Sequence, residues 1–297
     1  MPILPRYITK TKIKQFMWIL EKPLLEDAIN DIAKVIAESS GKLTQNDGYI
    51  MEIIYRHYDQ QHGAITTEDD KKLCLSQRNA LYGLYDSKTY EGQSLHFIRE
   101  ALMKGITTCP MCGIQPPSQL DHQMPRSEFK SLSVCRLNLV PLCGVCNNKK
   151  RAKDPSKFIH PYYDTAIRDL PFFVITIHSS PETHRMSWKF SVNKEVIANK
   201  DLSDKIENQI GVVKLVKRLK CETIELLSDI LSAADLTSQQ TLDPTLNYEY
   251  RKFANRRGMN DWHTVFLKAL IDSPRFTIEE ARVFAKTIVP ANRGTNG

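Results

Sequence analysis

Two cysteine pairs at Cys-x-x-Cys spacing, Cys109/Cys112 and Cys143/Cys146, bracket an Asp121-His122 dipeptide and Asn138, and Asn147 follows the last cysteine directly. Each pair can supply two thiolates to one tetrahedral zinc ion, and the 30 residues between the pairs leave room for an insertion. The polar residues point to different chemistry. A carboxylate suits a hard cation such as Mg²⁺, and a histidine that is neutral near pH 7 suits removal of a proton from water. Asp121 is therefore expected to hold a metal and His122 to act as general base. Asn138, polar within the apolar run RLNLVPL, is either a turn asparagine or the residue that fixes the histidine or its loop. Asn147 is expected as the second protein ligand of the catalytic metal. Lys150, about one helical turn on, is expected at a phosphate.

These residues need a frame. If Asp121-His122 ends a strand of a short hairpin, its two side chains point in different directions, one toward a metal and one toward substrate. The run from Cys146 to Arg151 reads as a helix anchored by the zinc site and ended by Asp154-Pro155. One zinc ion would then tie hairpin to helix, which is how a module too small for a real core becomes rigid.

Charge supports a polyphosphate partner. Residues 101–160 hold nine basic residues against three acids, so one fifth of the chain carries +6 of its net +7. Such a local excess favours nucleic acid through counterion release. Cys74, Cys135 and Cys221, the remainder of the seven cysteines, are expected as small buried hydrophobes. No apolar run approaches the roughly 20 residues needed to span a bilayer, and no secretory signal is visible at the N-terminus, so a cytoplasmic protein without membrane contact is expected.

The flanks read as helical. Apolar spacing predicts two helices within 9–40, the second opened by Pro23, then helices at 49–60 and 93–104, with Asp47-Gly48 as a turn and Gly105 as a C-cap. Lys10, Lys12 and Lys14 are candidates to touch nucleic acid. Residues 172–178 and 186–192 read as paired strands. Helices resume from Leu202, a break is expected at Asp243-Pro244, and Thr277 with Glu280 resembles a capping box. Basic clusters at Lys214, Lys217, Arg218 and Lys220, and at Arg251, Lys252, Arg256 and Arg257, are either groove-lining or solvated. His57, His62, His178 and His184 are expected in structural or exposed roles. The fold class expected is α+β, mostly α: a helical region 1–104, a central module 105–165, a hairpin extension 166–200 and a helical region 201–297.

The order Cys-x-x-Cys, Asp-His, Asn-Leu-Val, Cys-x-x-Cys-Asn-x-x-Lys resembles the HNH nuclease family, the ββα-metal endonucleases. The runs Leu-Asp-His-x-x-Pro-x-Ser, Asn-Leu-Val-Pro-x-Cys and His160-Pro161-Tyr162-Tyr163-Asp164 resemble a bacterial subgroup found beside ATPases in anti-phage systems. The resemblance spans residues 105–165. It implies a ββα-metal fold and metal-dependent hydrolysis of phosphodiesters, with Mg²⁺ or Mn²⁺ on Asp121 and Asn147, His122 as base and Asn138 as the central residue of the motif. A structural Zn²⁺ would sit separately on Cys109, Cys112, Cys143 and Cys146. His160 is a candidate additional ligand, and Arg126, Lys149, Lys150 and Arg151 are candidates to contact nucleic acid. The substrate implied is DNA, with a tRNA-cleaving ribonuclease as alternative and a non-catalytic zinc-ribbon module as the competing class. A partner ATPase or a second copy of the chain would dock on the helical flanks.

Overall fold

The computed structural model describes residues 15–151 and 153–288. Lys10, Lys12 and Lys14 lie outside them. The first of the two helices expected within 9–40 is not formed where the chain is described: β1 (Gln15–Phe16) and β2 (Ile19–Leu20) take its place. Met17, Trp18, Ile19 and Leu20 are buried on successive positions, which a helix with one apolar face cannot produce.

The second helix, α1 (Leu25–Glu38), buries Ala28, Ile32 and Val35 on one face and packs on α2 (Gln45–Gln60). Asp47-Gly48, expected as a turn, is instead the first turn of α2. Thr44 donates its backbone N–H to Asp47 Oδ2 at 2.7 Å and its hydroxyl accepts the Asp47 N–H at 3.3 Å, a closed capping box. Gly48 is there because the helices touch: a Cβ would lie 2.8 Å from Ile36 Cδ1. After α3 (Thr67–Asp70) and α4 (Leu75–Lys88), α5 (His96–Met103) ends at Gly105, whose φ of 81° is the left-handed conformation expected past a helix end.

Next come β3 (Gln119–His122), β4 (Leu139–Leu142) and α6 (Gly144–Lys150). Leu120, Met124, Leu132, Leu137 and Leu139 belong to the same buried cluster as Ile32, Met51, Ile54, Leu81 and Ile98. Burial of such side chains contributes about 1.5–3 kcal/mol each. No compact-unit boundary therefore falls at 104/105: one unit takes in residues 17–165 and returns for 204–213.

The other unit comprises residues 166–203, the described chain from Lys214 onward and Gln15–Phe16. Its hairpin, β5 (Phe173–Ser179) and β6 (Met186–Val192), pairs Phe173 with Val192 and Ser179 with Met186. Phe173, Ile175 and Ile177 alternate inward. α7 (Lys200–Val212) and α8 (Leu215–Ala233) part at Lys214, which adopts a φ of 51°. The break expected at Asp243-Pro244 is absent, because Pro244 lies inside α9 (Gln239–Arg257). The start is capped by Ser238 on the Thr241 N–H, and Leu242 and Leu246 are buried either side of the proline, which holds that turn helical despite the missing N–H. α10 (Trp262–Asp272) packs on β5, and α11 (Ile278–Ile288) packs on α8. Glu280 accepts the Thr277 N–H at 3.0 Å.

The protein is thus α+β and mostly α. No helix among the described residues is long and apolar enough to cross a membrane. Cys74 and Cys221, expected buried, are exposed; each lies on the solvent face or end of its helix. Cys135 is buried, and burial pushes its thiol up to about 12, as for an inert small hydrophobe.

Candidate functional site

β3 and β4 form an antiparallel hairpin that pairs Gln119 with Leu142 and His122 with Leu139, and α6 follows one residue after β4. Cys143 occupies the N-cap of α6 and Cys146 its first turn. The other pair sits in a tight knuckle: Gly113 donates to Cys109 O at 2.8 Å with a φ of 65°, and Cys109 donates to Gln115 O at 2.7 Å. All four cysteines are buried, and their sulfurs lie within 4.8 Å of one another, with Cys112 and Cys143 at 3.9 Å. A tetrahedron of thiolates at a zinc–sulfur distance of about 2.3 Å has edges of about 3.8 Å, so the cluster fits zinc. An ion there would bind the knuckle to the start of α6.

The polar residues use the same helix. Gln119 and Asp121 are two apart on β3 and share a face; Asn147 and Lys150 are three apart on α6 and share another. The two faces meet. Asn147 Nδ2 donates to Gln119 Oε1 at 2.6 Å, and Lys150 Nζ donates to Asp121 Oδ2 at 2.6 Å and to His122 O at 3.0 Å. The bond to Gln119 uses the amide nitrogen of Asn147, so its oxygen is the atom that could join the Asp121 carboxylate in serving a cation. Oxygen donors of these two kinds suit a hard divalent ion. Burial pushes the Asp121 carboxyl up, and the Lys150 ammonium opposes that shift. Lys150, expected at a phosphate, is 1% exposed and held by Asp121 and the His122 carbonyl, so it faces inward. A divalent ion on Asp121 would compete with that ammonium.

His122 is half-buried at the strand end, and its Nε2 lies 2.9 Å from Ser133 O. A carbonyl can only accept, so Nε2 carries the proton and Nδ1 is the basic nitrogen. The Tyr85 ring meets the imidazole edge-on at 4.5 Å between centroids, and its hydroxyl donates to Leu120 O at 2.7 Å. Burial lowers the His122 pKa to about 4; the Ser133 carbonyl opposes this, and Arg126 and Lys150 add to it. The ring is neutral at pH 7.

Asn138 is fully buried, and its side-chain hydrogen bonds go to residues other than His122. Its Oδ1 accepts from Met124 N at 2.7 Å and Tyr58 OH at 3.2 Å; its Nδ2 donates to Met124 O and Leu132 O; its own carbonyl accepts from Gln123 N at 2.8 Å. It closes the 123–133 loop that presents Ser133. His160, expected as an extra ligand, is placed behind this asparagine. Its Nδ1 accepts from Tyr162 N at 3.3 Å and its Nε2 meets Tyr58 OH at 3.0 Å, so both nitrogens are engaged within the core. Gly63 makes room for it: at a φ of 88°, a Cβ there would lie 2.3 Å from His160 Cδ2.

Among the other basic candidates, Arg126 lies over the rings of Tyr82 and Tyr85 and pairs with Asp86 at 3.0 Å, Lys149 is partly exposed, and Arg151 is exposed at the end of α6. Several residues that shape the site gave no signal in sequence. Tyr58, Asp70, Arg78 and Tyr85 lie on helices of the first hundred residues, and Ser133 acts through its main chain. Asp31 is another, binding Arg136 with a 2.9 Å bond from Nη2 next to a second bond from Nε, and so fixing the turn that carries Asn138.

No solved structure matches this chain. Over 74 residues it is 32% identical to Protein ea31 of Escherichia phage lambda, a match covering 23% of this chain and 25% of that protein. The chain thus aligns with about a quarter of that relative's length. Residues 109–153, from the first cysteine of the knuckle to just past α6, match the HNH endonuclease family.

Proposed function

We propose that this protein is a metal-dependent endonuclease that hydrolyses phosphodiester bonds of DNA, as the effector of a bacterial anti-phage system. The observation that carries the nuclease reading is the divergence at the end of β3, where the Asp121 side chain turns to Lys150 on α6 while the His122 ring turns to the Ser133 carbonyl. The defence role rests on the resemblance of residues 120–127, 138–143 and 160–164 to nucleases that accompany ATPases.

In this mechanism Asp121 and the Asn147 amide oxygen would hold Mg²⁺ or Mn²⁺, which would supply positive charge where negative charge develops on the phosphoryl oxygens and on the leaving oxygen. His122 takes the proton of the attacking water on Nδ1. The Ser133 carbonyl keeps the ring in that tautomer and stabilises the imidazolium that forms. Asn138 holds the loop in register. Zinc on the four cysteines would hold the start of α6, and with it Asn147, against the 109–112 knuckle.

The test is incubation of the purified protein and of His122→Ala with plasmid, single-stranded DNA and total tRNA, with Mg²⁺ or Mn²⁺. The expected result is cleavage of DNA by the wild type and a loss on the order of 100-fold or more in the variant. Cleavage of tRNA alone would move the substrate to RNA. Equal cleavage by both proteins would remove His122 from the mechanism, and nucleic-acid binding without cleavage would leave a zinc-bound recognition module.

A further inference from the structure

We infer that Asp70, outside the matched stretch, is the positioning residue of the candidate base: it fixes the turn whose carbonyl holds His122, an inference that rests on the nuclease reading above. Asp70 ends α3 and is fully buried. Its Oδ1 accepts the Ser131 N–H at 2.8 Å, and its Oδ2 accepts Arg78 Nη1 at 2.7 Å. Ser131 is the middle residue of a single 3₁₀ turn, Lys130–Leu132. The next residue is Ser133, which donates its N–H and its hydroxyl to Lys130 O at 3.2 and 2.7 Å and offers its own carbonyl to His122. The path from Arg78 to the imidazole therefore runs through one carboxylate and one turn.

A carboxylate is suited to this task. Buried and unpaired it would be costly, so its two oxygens must be satisfied, one by a guanidinium and one by a main-chain N–H. That pins the turn from one side, while Asn138 Nδ2 reaches Leu132 O from another. α4 supplies the rest of the seat: Arg78, Tyr82 and Tyr85 recur at helical spacing, and Tyr85 lies against the His122 ring. A short turn with no regular strand partner would otherwise let the Ser133 carbonyl drift, and a misplacement of about 1 Å in such a group can cost on the order of 100-fold in rate.

The experiment reads the imidazole directly. In protein labelled with ¹⁵N-histidine, the His122 signals, assigned by their loss in His122→Ala, report which nitrogen carries the proton. The wild type is expected to show Nε2 protonated and its proton protected from exchange. Asp70→Asn, which keeps an oxygen for the Ser131 N–H, is expected to retain this pattern. The double variant Asp70→Leu/Arg78→Met removes both charges together, so no unpaired cation is left to unfold the protein. It is expected to keep its zinc, to show averaged tautomers at His122 and to lose kcat on the order of 100-fold with KM within about twofold. In a His122→Ala background the same double change is expected to cost no further rate. An unaltered His122 signal in the double variant, or loss of the pattern in folded Asp70→Asn, would overturn the inference. If the wild type cleaves no nucleic acid, the nuclease reading fails while the tautomer spectra still judge Asp70.

Discussion

The two halves of the site are held in opposite ways. The cysteine cluster is built from four sulfurs lying within 4.8 Å of one another, all from residues 109–146, and it needs little from the rest of the chain. The loop carrying Met124, Ser131 and Ser133 has no metal in its framework. It is closed by Asn138, which Tyr58 backs, and pinned by Asp70, which Arg78 backs; Tyr58, Asp70 and Arg78 all lie outside the matched stretch. A metal can impose geometry on a few residues because each bond to it is strong and directional. Hydrogen bonds of about 0.5–1.5 kcal/mol must be numerous and buried to do the same. The helices of the first hundred residues are therefore part of the site rather than an appendage to it.

Three substitutions test how separate these two frameworks are. Cys146→Ser is the most damaging. Structural zinc contributes roughly 10–16 kcal/mol of apparent binding energy, comparable to the whole stability of a domain, so the variant is expected to lose zinc and its cooperative melt. A Cys146→Ser protein that melted like wild type would mean that the cysteines are not the scaffold. Lys150→Met comes next. It leaves the Asp121 carboxylate buried without its partner, for an expected loss of about 3–5 kcal/mol in denaturant unfolding. Mg²⁺ is expected to restore more stability to this variant than to wild type, since a divalent ion replaces the missing charge; no difference in Mg²⁺ response would argue against a cation at Asp121. Asn138→Ala is the mildest, expected to cost about 1–3 kcal/mol by leaving the buried Met124 N–H without an acceptor. Its zinc content, measured by metal analysis, is expected to stay at the wild-type value. Zinc loss here would show that loop and cluster stand or fall together.

The same contrast explains what could be read in advance. Ligand spacing is a local property, so Cys109, Cys112, Cys143 and Cys146 were visible as a group before any fold was known. Period-two alternation likewise located β5 and β6, with β5 displaced by one residue from its expected bounds. Tyr58 and His160 meet across 102 positions, and Asp70 and Ser131 across 61, with nothing in the intervening composition to announce either pair. Gly48 and Pro244 misled for a related reason. Each has a strong local preference, for a turn or for a break, and each was overruled by packing: Gly48 by the contact with Ile36, Pro244 by burial of Leu242 and Leu246. Lys150 is held by Asp121 and the His122 carbonyl, partners that its place after two cysteine pairs does not announce.

One feature of the chain path sets a timetable. The unit containing the candidate site is completed by residues 204–213, where Ile206 and Val213 are fully buried, Asn208 Nδ2 donates to Lys157 O at 2.7 Å, and Lys205 pairs with Asp164 at 3.6 Å. On the ribosome these residues emerge only after 166–203 has been made, a delay of about 2–8 s at about 5–20 residues per second. A nascent chain thus carries Asp121 and His122 well before the surface they belong to is sealed, and a fragment ending at 165 would keep every residue of the motif yet leave part of its core open to water.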